Sequence, residues 1–279
     1  MESLIANPII QSAVIPFFTA LLATMALRRF GWLWAGLGLA LGFYLSVYVV
    51  IGIEFTPLTS TRKIILLGLI AVVVGLVVDG LLHRDTKRRD NSNLLVAIAA
   101  ALAAAAALWV IWPVASRKEG TAFWILIVAA MFYSSAIVAL FERLKTNAEK
   151  SAAAMLAIGV GTGVCTLLGA SAKLGQLSSA IGAAAGAYVL VLLFSKTLRF
   201  GSSFTLTGAL LVSLIGIAGV VYAKLPWYIL VILMLIPAVL ALPMRPVRLP
   251  ALIVYALATL PIAGIAIYLT WKIAGAPPI

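Results

Sequence analysis

Long apolar stretches alternate with short polar linkers along the whole of the 279-residue chain. A membrane-spanning helix needs about 20 mainly apolar residues, and ten stretches approach or exceed that length. They cover roughly residues 8–27, 31–53, 64–82, 94–114, 121–140, 152–170, 178–195, 204–223, 226–242 and 250–270. The stretches are continuously apolar rather than alternating, and helices satisfy their own backbone hydrogen bonds in lipid. The pattern therefore predicts an all-α integral membrane protein with about ten transmembrane helices.

The first three stretches are echoed 144 residues further along the chain. Each copy holds two glycines four residues apart and then a tyrosine: Gly38, Gly42 and Tyr44, and again Gly182, Gly186 and Tyr188. Small residues at this spacing let helix backbones approach closely, so we interpret the glycines as helix packing positions. A duplicated unit of five helices enters the membrane in opposite orientations. The echo thus predicts a 5+5 inverted-topology repeat within one membrane domain, with halves at 1–150 and 151–279.

Composition and charge support this interpretation. The chain is 64% hydrophobic and 10% charged, against about 25% charged for an average soluble domain. The net charge of +12 comes from basic linkers, which set orientation in a membrane and do not indicate nucleic acid. Thirteen Lys and Arg residues lie on the side of the linker between spans three and four, and seven lie on the other side. We therefore predict a multi-pass protein of the inner (plasma) membrane with both termini outside.

Few residues are suited to catalysis or to holding a cofactor. Cys165 is the single cysteine and His83 the single histidine, so a Cys/His zinc site or a bis-histidine haem site lacks ligands. No Ser/His/Asp arrangement and no phosphate-binding glycine loop is evident. The sequence predicts neither an enzyme, nor a metal site, nor a bound cofactor.

Polar and helix-breaking residues inside the spans are the best candidates for a binding site. They cluster in spans one and six, which the repeat pairs: Ser12, Pro16 and Thr19, then Gly161, Thr162, Gly163 and Cys165. Proline removes a backbone donor, and two close glycines permit unwinding. Paired breaks of this kind mark substrate sites in inverted-repeat transporters. We predict that these seven residues bind a substrate between the halves, although close packing of the helices would also explain them.

Asp79 is the one acidic residue inside a hydrophobic run. A carboxyl group within a membrane helix is expensive and points to ion or proton coupling. Its position three residues from the predicted end of its span also suits a carboxylate at the membrane surface, close to His83 or Arg84. Both interpretations follow from the sequence.

Two functions are compatible with these features. The first is a transporter or facilitator of a small solute, which works between two inverted halves in the lipid bilayer. The second is a non-catalytic membrane subunit or scaffold of a larger complex, whose Gly/Ala faces hold protein partners or a second copy of the chain. The identity of a solute does not follow from the residues.

Overall fold

The computed structural model describes residues 7–52, 56–84, 92–169, 171–195, 198–243 and 250–274. These residues form helices and short connections, and no strand is found among them. The ten main helices are α1 (Ile15–Leu27), α2 (Leu37–Val50), α3 (Ser60–Arg84), α4 (Ser92–Ala115), α5 (Gly120–Leu144), α6 (Ala148–Leu168), α7 (Ala172–Phe194), α8 (Ser202–Ala223), α9 (Trp227–Ala241) and α10 (Ala251–Ala274).

The helices confirm the prediction of an all-α, multi-pass membrane protein. Within the described ranges, nine helical segments are long and apolar enough to cross a membrane. The remaining helix, α9, has 15 residues and is about 22 Å long, which is less than the roughly 30 Å hydrocarbon core. Lys150 Nζ donates to the carbonyls of Leu240 and Leu242 at 2.8 and 3.0 Å, so two carbonyls at the end of this short helix have a side-chain partner.

Helix α8 lies at the centre of the bundle and is buried along nearly its whole length. It packs against α3 and α5 most extensively, and also against α4, α6 and α7. By contrast, α1, α3, α4 and α10 expose large apolar side chains, as lipid-facing helices do. The closest pair is α6 with α7, where Gly159 meets Gly182 backbone to backbone.

Contacts between helix ends show how the helices cross. Asp79, near the end of α3, bonds the start of α8, whereas Ser60, at the start of α3, bonds Tyr222 at the end of α8. Helices α3 and α8 are therefore antiparallel, and so are α2 and α7, because Tyr188 late in α7 bonds Leu39 early in α2. An inverted repeat requires both relations.

The two halves nevertheless pack differently. Helix α1 packs against α7, but its counterpart α6 does not pack closely against α2 and instead contacts α9 and α10. The central helices α6, α7 and α8 all come from the second half, so the first half lies more at the periphery. The duplication therefore stays a prediction from the sequence.

The first span is interrupted close to Pro16. Residues Ile10–Val14 form a π-helical turn in which the Ile15 N–H bonds the Ile10 carbonyl. Proline cannot donate a helical hydrogen bond and crowds the preceding turn, which accounts for the wider turn. The turn leaves the Gln11 carbonyl without its usual partner, and the Ser46 hydroxyl of α2 donates to it at 2.7 Å. A neighbouring helix thus supplies the bond that the disturbed backbone lacks.

Candidate functional site

The most polar part of the bundle lies at the first turn of α8. Asp79 is 1% exposed, and its two carboxyl oxygens accept from the backbone N–H groups of Ser202 and Ser203 at 2.7 and 2.9 Å. These N–H groups have no partner inside their own helix, and the positive end of the helix dipole favours an acidic group there. Gly201 provides the space for the Asp79 carboxyl group, because a Cβ at this position would lie 2.2 Å from Asp79 Oδ1.

A second carboxyl group, Glu142 of α5, joins this site and is 4% exposed. Its Oε2 accepts from the Ser202 hydroxyl and from Lys145 Nζ, both at 2.8 Å, and its Oε1 accepts from the Thr205 hydroxyl at 2.6 Å. Lys145 Nζ also donates to the Ser202 hydroxyl at 3.1 Å. We call Asp79, Glu142, Lys145, Ser202, Ser203 and Thr205 the carboxyl cluster. Because its acids and lysine precede residue 151 and its hydroxyls follow it, the cluster joins the two predicted halves.

A smaller polar group lies deeper in the bundle. The hydroxyls of Tyr133 on α5 and Thr162 on α6 are fully buried, and neither has a hydrogen-bond partner in the described part of the chain. Both side chains converge on Gly216 of α8, since a Cβ there would lie 3.5 Å from the Tyr133 hydroxyl oxygen and 3.7 Å from the Thr162 methyl. We call Tyr133 and Thr162 the hydroxyl pair. Buried polar groups are normally bonded. The hydroxyls of Thr24, Ser203 and Thr207 are likewise unbonded in the described part of the chain, and Tyr133 and Thr162 are distinguished by converging on one position.

The hydroxyl pair also lies between the two halves. Gly216 is fourteen residues beyond Ser202, so the pair lies about 21 Å along α8 from the carboxyl cluster. One residue from Tyr133, the hydroxyls of Ser134 and Ser213 are 3.0 Å apart and link α5 to α8. Helix α8 therefore connects both polar groups.

The residues predicted in the first span lie in a packed contact. The Ser12 hydroxyl donates to the Pro8 carbonyl at 2.7 Å. Pro16 is buried against α2, where a Cβ on Gly42 would lie 2.6 Å from the Pro16 carbonyl oxygen. Thr19 is half-buried.

Helix α6 runs without interruption through the residues predicted in span six. Gly163 faces α7, because a Cβ at this position would lie 2.7 Å from the backbone nitrogen of Ser179. Gly161 faces α9, because a Cβ there would lie 2.8 Å from a methyl carbon of Leu233. The two glycines let neighbouring helices approach from two sides, whereas Thr162 between them points towards α8. Cys165 is buried one turn further along.

The structure does not bring the two predicted groups into direct contact. Helices α1 and α6 do not pack closely on each other, and both pack on α7. Three of the four packing glycines lie at tight crossings, because a Cβ at Gly38, Gly42 or Gly182 would come within 3.0 Å of another helix. Gly186 is looser, with the side chains of Leu156 and Phe17 at 3.6 and 3.7 Å from a notional Cβ. The seven-residue substrate site remains a prediction, and Thr162 is its member whose buried hydroxyl has no partner among the described residues.

Sequence reasoning missed most of the carboxyl cluster. Glu142 follows the apolar stretch predicted at 121–140, so it resembled a linker residue, whereas α5 continues to Leu144. The available signal was the run Gly201-Ser202-Ser203-Phe204-Thr205 at the start of a buried span, since such a start needs acceptors for its N–H groups. Among the described residues, no group of three or more His, Cys, Asp or Glu is placed to hold a metal ion.

No known protein family matches this chain, and a search of curated proteins finds no significant match. The two polar groups are the features of the described chain that bear on its function.

Proposed function

We propose that the protein transports a small polar solute across the membrane along a path between its two halves. The observation that carries this proposal is the unbonded hydroxyl pair, which lies between helices of the first and second half. A solute hydroxyl, amine or carbonyl would satisfy both Tyr133 and Thr162. Solute sites of many secondary transporters lie well inside the bilayer, at the contact between the two repeats.

The carboxyl cluster supports the same proposal. Ionisable groups buried in membrane helices commonly belong to proton or ion relays. Asp79 and Glu142 of one half bind the first turn of α8 of the other half, so a change of their protonation would alter a bond between the halves. Because α8 also carries Gly216, a shift of this helix would reach the hydroxyl pair. We assign to Asp79 and Glu142 the coupling of an ion or proton to movement of the solute.

Accessibility of position 162 tests the proposal. Thr162→Cys in a Cys165→Ser background would be treated with a water-soluble thiol reagent from each side of membrane vesicles of known orientation. We expect labelling from both sides, because an alternating path exposes the pair to each side in turn. Pro16→Cys in the same background tests the predicted first-span part of the path.

Two controls make the labelling interpretable. Val160→Cys lies on the same helix but is 37% exposed on the outer surface of the bundle, so it reports reagent that enters lipid. Ala180→Cys lies in the packed core of α7 and reports loss of the fold. If position 162 stays protected from both sides and a partner protein co-purifies in equal amount, the chain is a non-catalytic membrane subunit and the transport proposal is wrong.

A further inference from the structure

An apolar groove runs along the lipid-facing side of α3 and α4. It has a volume of about 290 Å³ and is lined by alkyl side chains and one indole. Its floor is Leu206 and Leu210 of α8, and the short side chains of Ala99, Ala103 and Ala106 form one wall. Helix α4 packs closely on α5 but only lightly on α3, so the alanines leave the space between them unfilled.

The groove opens to the hydrocarbon region of the bilayer. Leu102 and Ile70 on its two walls are each 55% exposed, and Trp109 at one end is 41% exposed. From Ala99 to Trp109, it extends about 15 Å along α4, which is half of the roughly 30 Å hydrocarbon core. Its length is about that of the acyl region of one leaflet, and it lies in the middle part of α4.

A lysine lies at the Trp109 end. Pro113 has no N–H, so the Trp109 carbonyl four residues earlier lacks its helical partner. Lys63 Nζ donates to this carbonyl at 3.1 Å and lies 5.1 Å from the centre of the Trp109 ring. An ammonium group has three donors, so Lys63 can also bind an anionic oxygen. Helix α3 begins three residues before Lys63, which places the ammonium near the end of its span.

We propose that this groove binds one acyl chain of an anionic phospholipid, whose phosphate group is bound by Lys63. The apolar lining matches the acyl chain, the groove length matches one leaflet, and the positive charge at one end matches the headgroup. The site is independent of the transport path, because it lies on the lipid-facing side of α3 and α4 and shares no residue with the hydroxyl pair or the carboxyl cluster.

Native mass spectrometry of the purified full-length protein in detergent tests the proposal. The probes are phosphatidylglycerol and phosphatidylcholine with identical acyl chains. We expect the protein to retain one phosphatidylglycerol about fivefold better than phosphatidylcholine, the preference that one lysine near an anionic headgroup gives. Lys63→Gln should abolish the preference while both lipids still bind. Lys118→Gln is the matched control, because this exposed lysine lies at the same end of the bundle, between α4 and α5.

Filling the groove tests the acyl-chain site separately. Ala105 lines the groove and is exposed, whereas Ala101 is exposed on the same helix but does not line it. Ala105→Leu should reduce the retention of both lipids several-fold, and Ala101→Leu should leave it unchanged. Equal retention of the two lipids by the unmodified protein would overturn the proposal, as would equal effects of the two leucine variants. A dimer that Ala105→Leu dissociates would show that a second copy covers the groove, which also overturns it.

Discussion

At the scale of single residues, the two buried acids are held differently. Asp79 uses both carboxyl oxygens for backbone N–H donors, whereas Glu142 accepts from two hydroxyls and an ammonium group. Hydroxyls can rotate and donate elsewhere, but the N–H groups at the start of α8 are fixed. Asp79 is therefore the acid on which the position of this helix depends more strongly.

We predict that Asp79→Asn destabilises the protein by about 1–3 kcal/mol, the penalty for a buried donor without an acceptor. The amide has one acceptor oxygen, so its NH₂ group would face one of the two backbone N–H donors. Thermal unfolding in detergent measures the loss. Glu119→Gln, which changes an exposed acid at the opposite end of α5, serves as the control and should leave the melting temperature unchanged. A melting temperature that Asp79→Asn does not lower would contradict the assigned role.

At the scale of helices, the crossing of α6 with α7 is set by glycine. A Cβ on Gly182 would lie 2.7 Å from the backbone nitrogen of Val160, which cannot rotate away. A Cβ on Gly186 would meet only side chains at ordinary contact distances. The two glycines of this one motif thus differ in what they require of the neighbouring helix.

Alanine substitutions should separate these two positions. We expect Gly182→Ala to cost about 1–3 kcal/mol through overpacking, because the two helices must move apart. Gly186→Ala adds the same methyl group without a clash and should be close to neutral. Thermal unfolding of the two variants under identical conditions is the comparison. Equal melting temperatures would show that the crossing is not as close as described.

How far the sequence predicts such features depends on whether they are local. Stretches of apolar residues predict the helices because each span must be apolar over its own length. The disturbance of the helix at Pro16 is also local, and the sequence predicts it. The Ser46 hydroxyl that bonds the Gln11 carbonyl is 35 residues away, and this bond follows only from the packing of α2 on α1. The burial of Glu142 likewise depends on α8, and the glycines at 161 and 163 remain helical because neighbouring helices pack against them.

At the scale of the whole molecule, the predicted orientation can be tested with a reporter. Ten crossings put both termini on one side, and the charge bias predicts that this side is outside. A reporter that is active only in the cytoplasm should therefore be silent after Ile279. The same reporter inserted within residues 244–249 should be active, because the short helix α9 must cross the membrane. Activity after Ile279 with silence at 244–249 would mean either the opposite orientation or that α9 does not cross, and equal signals at both sites would mean that α10 does not cross.

The hydrogen bonds between the two predicted halves are unevenly distributed across the membrane. At the face where α8 begins, the carboxyl cluster and Tyr188, which bonds Ala35 and Leu39, hold the halves together. At the other face, Tyr222, which is 42% exposed, bonds Ser60 and Val110 of the first predicted half. The halves are thus held together more firmly at the face where α8 begins than at the Tyr222 face. If the two halves part, the gap would widen from the Tyr222 face, and the Ser60–Tyr222 bond would be the first to break.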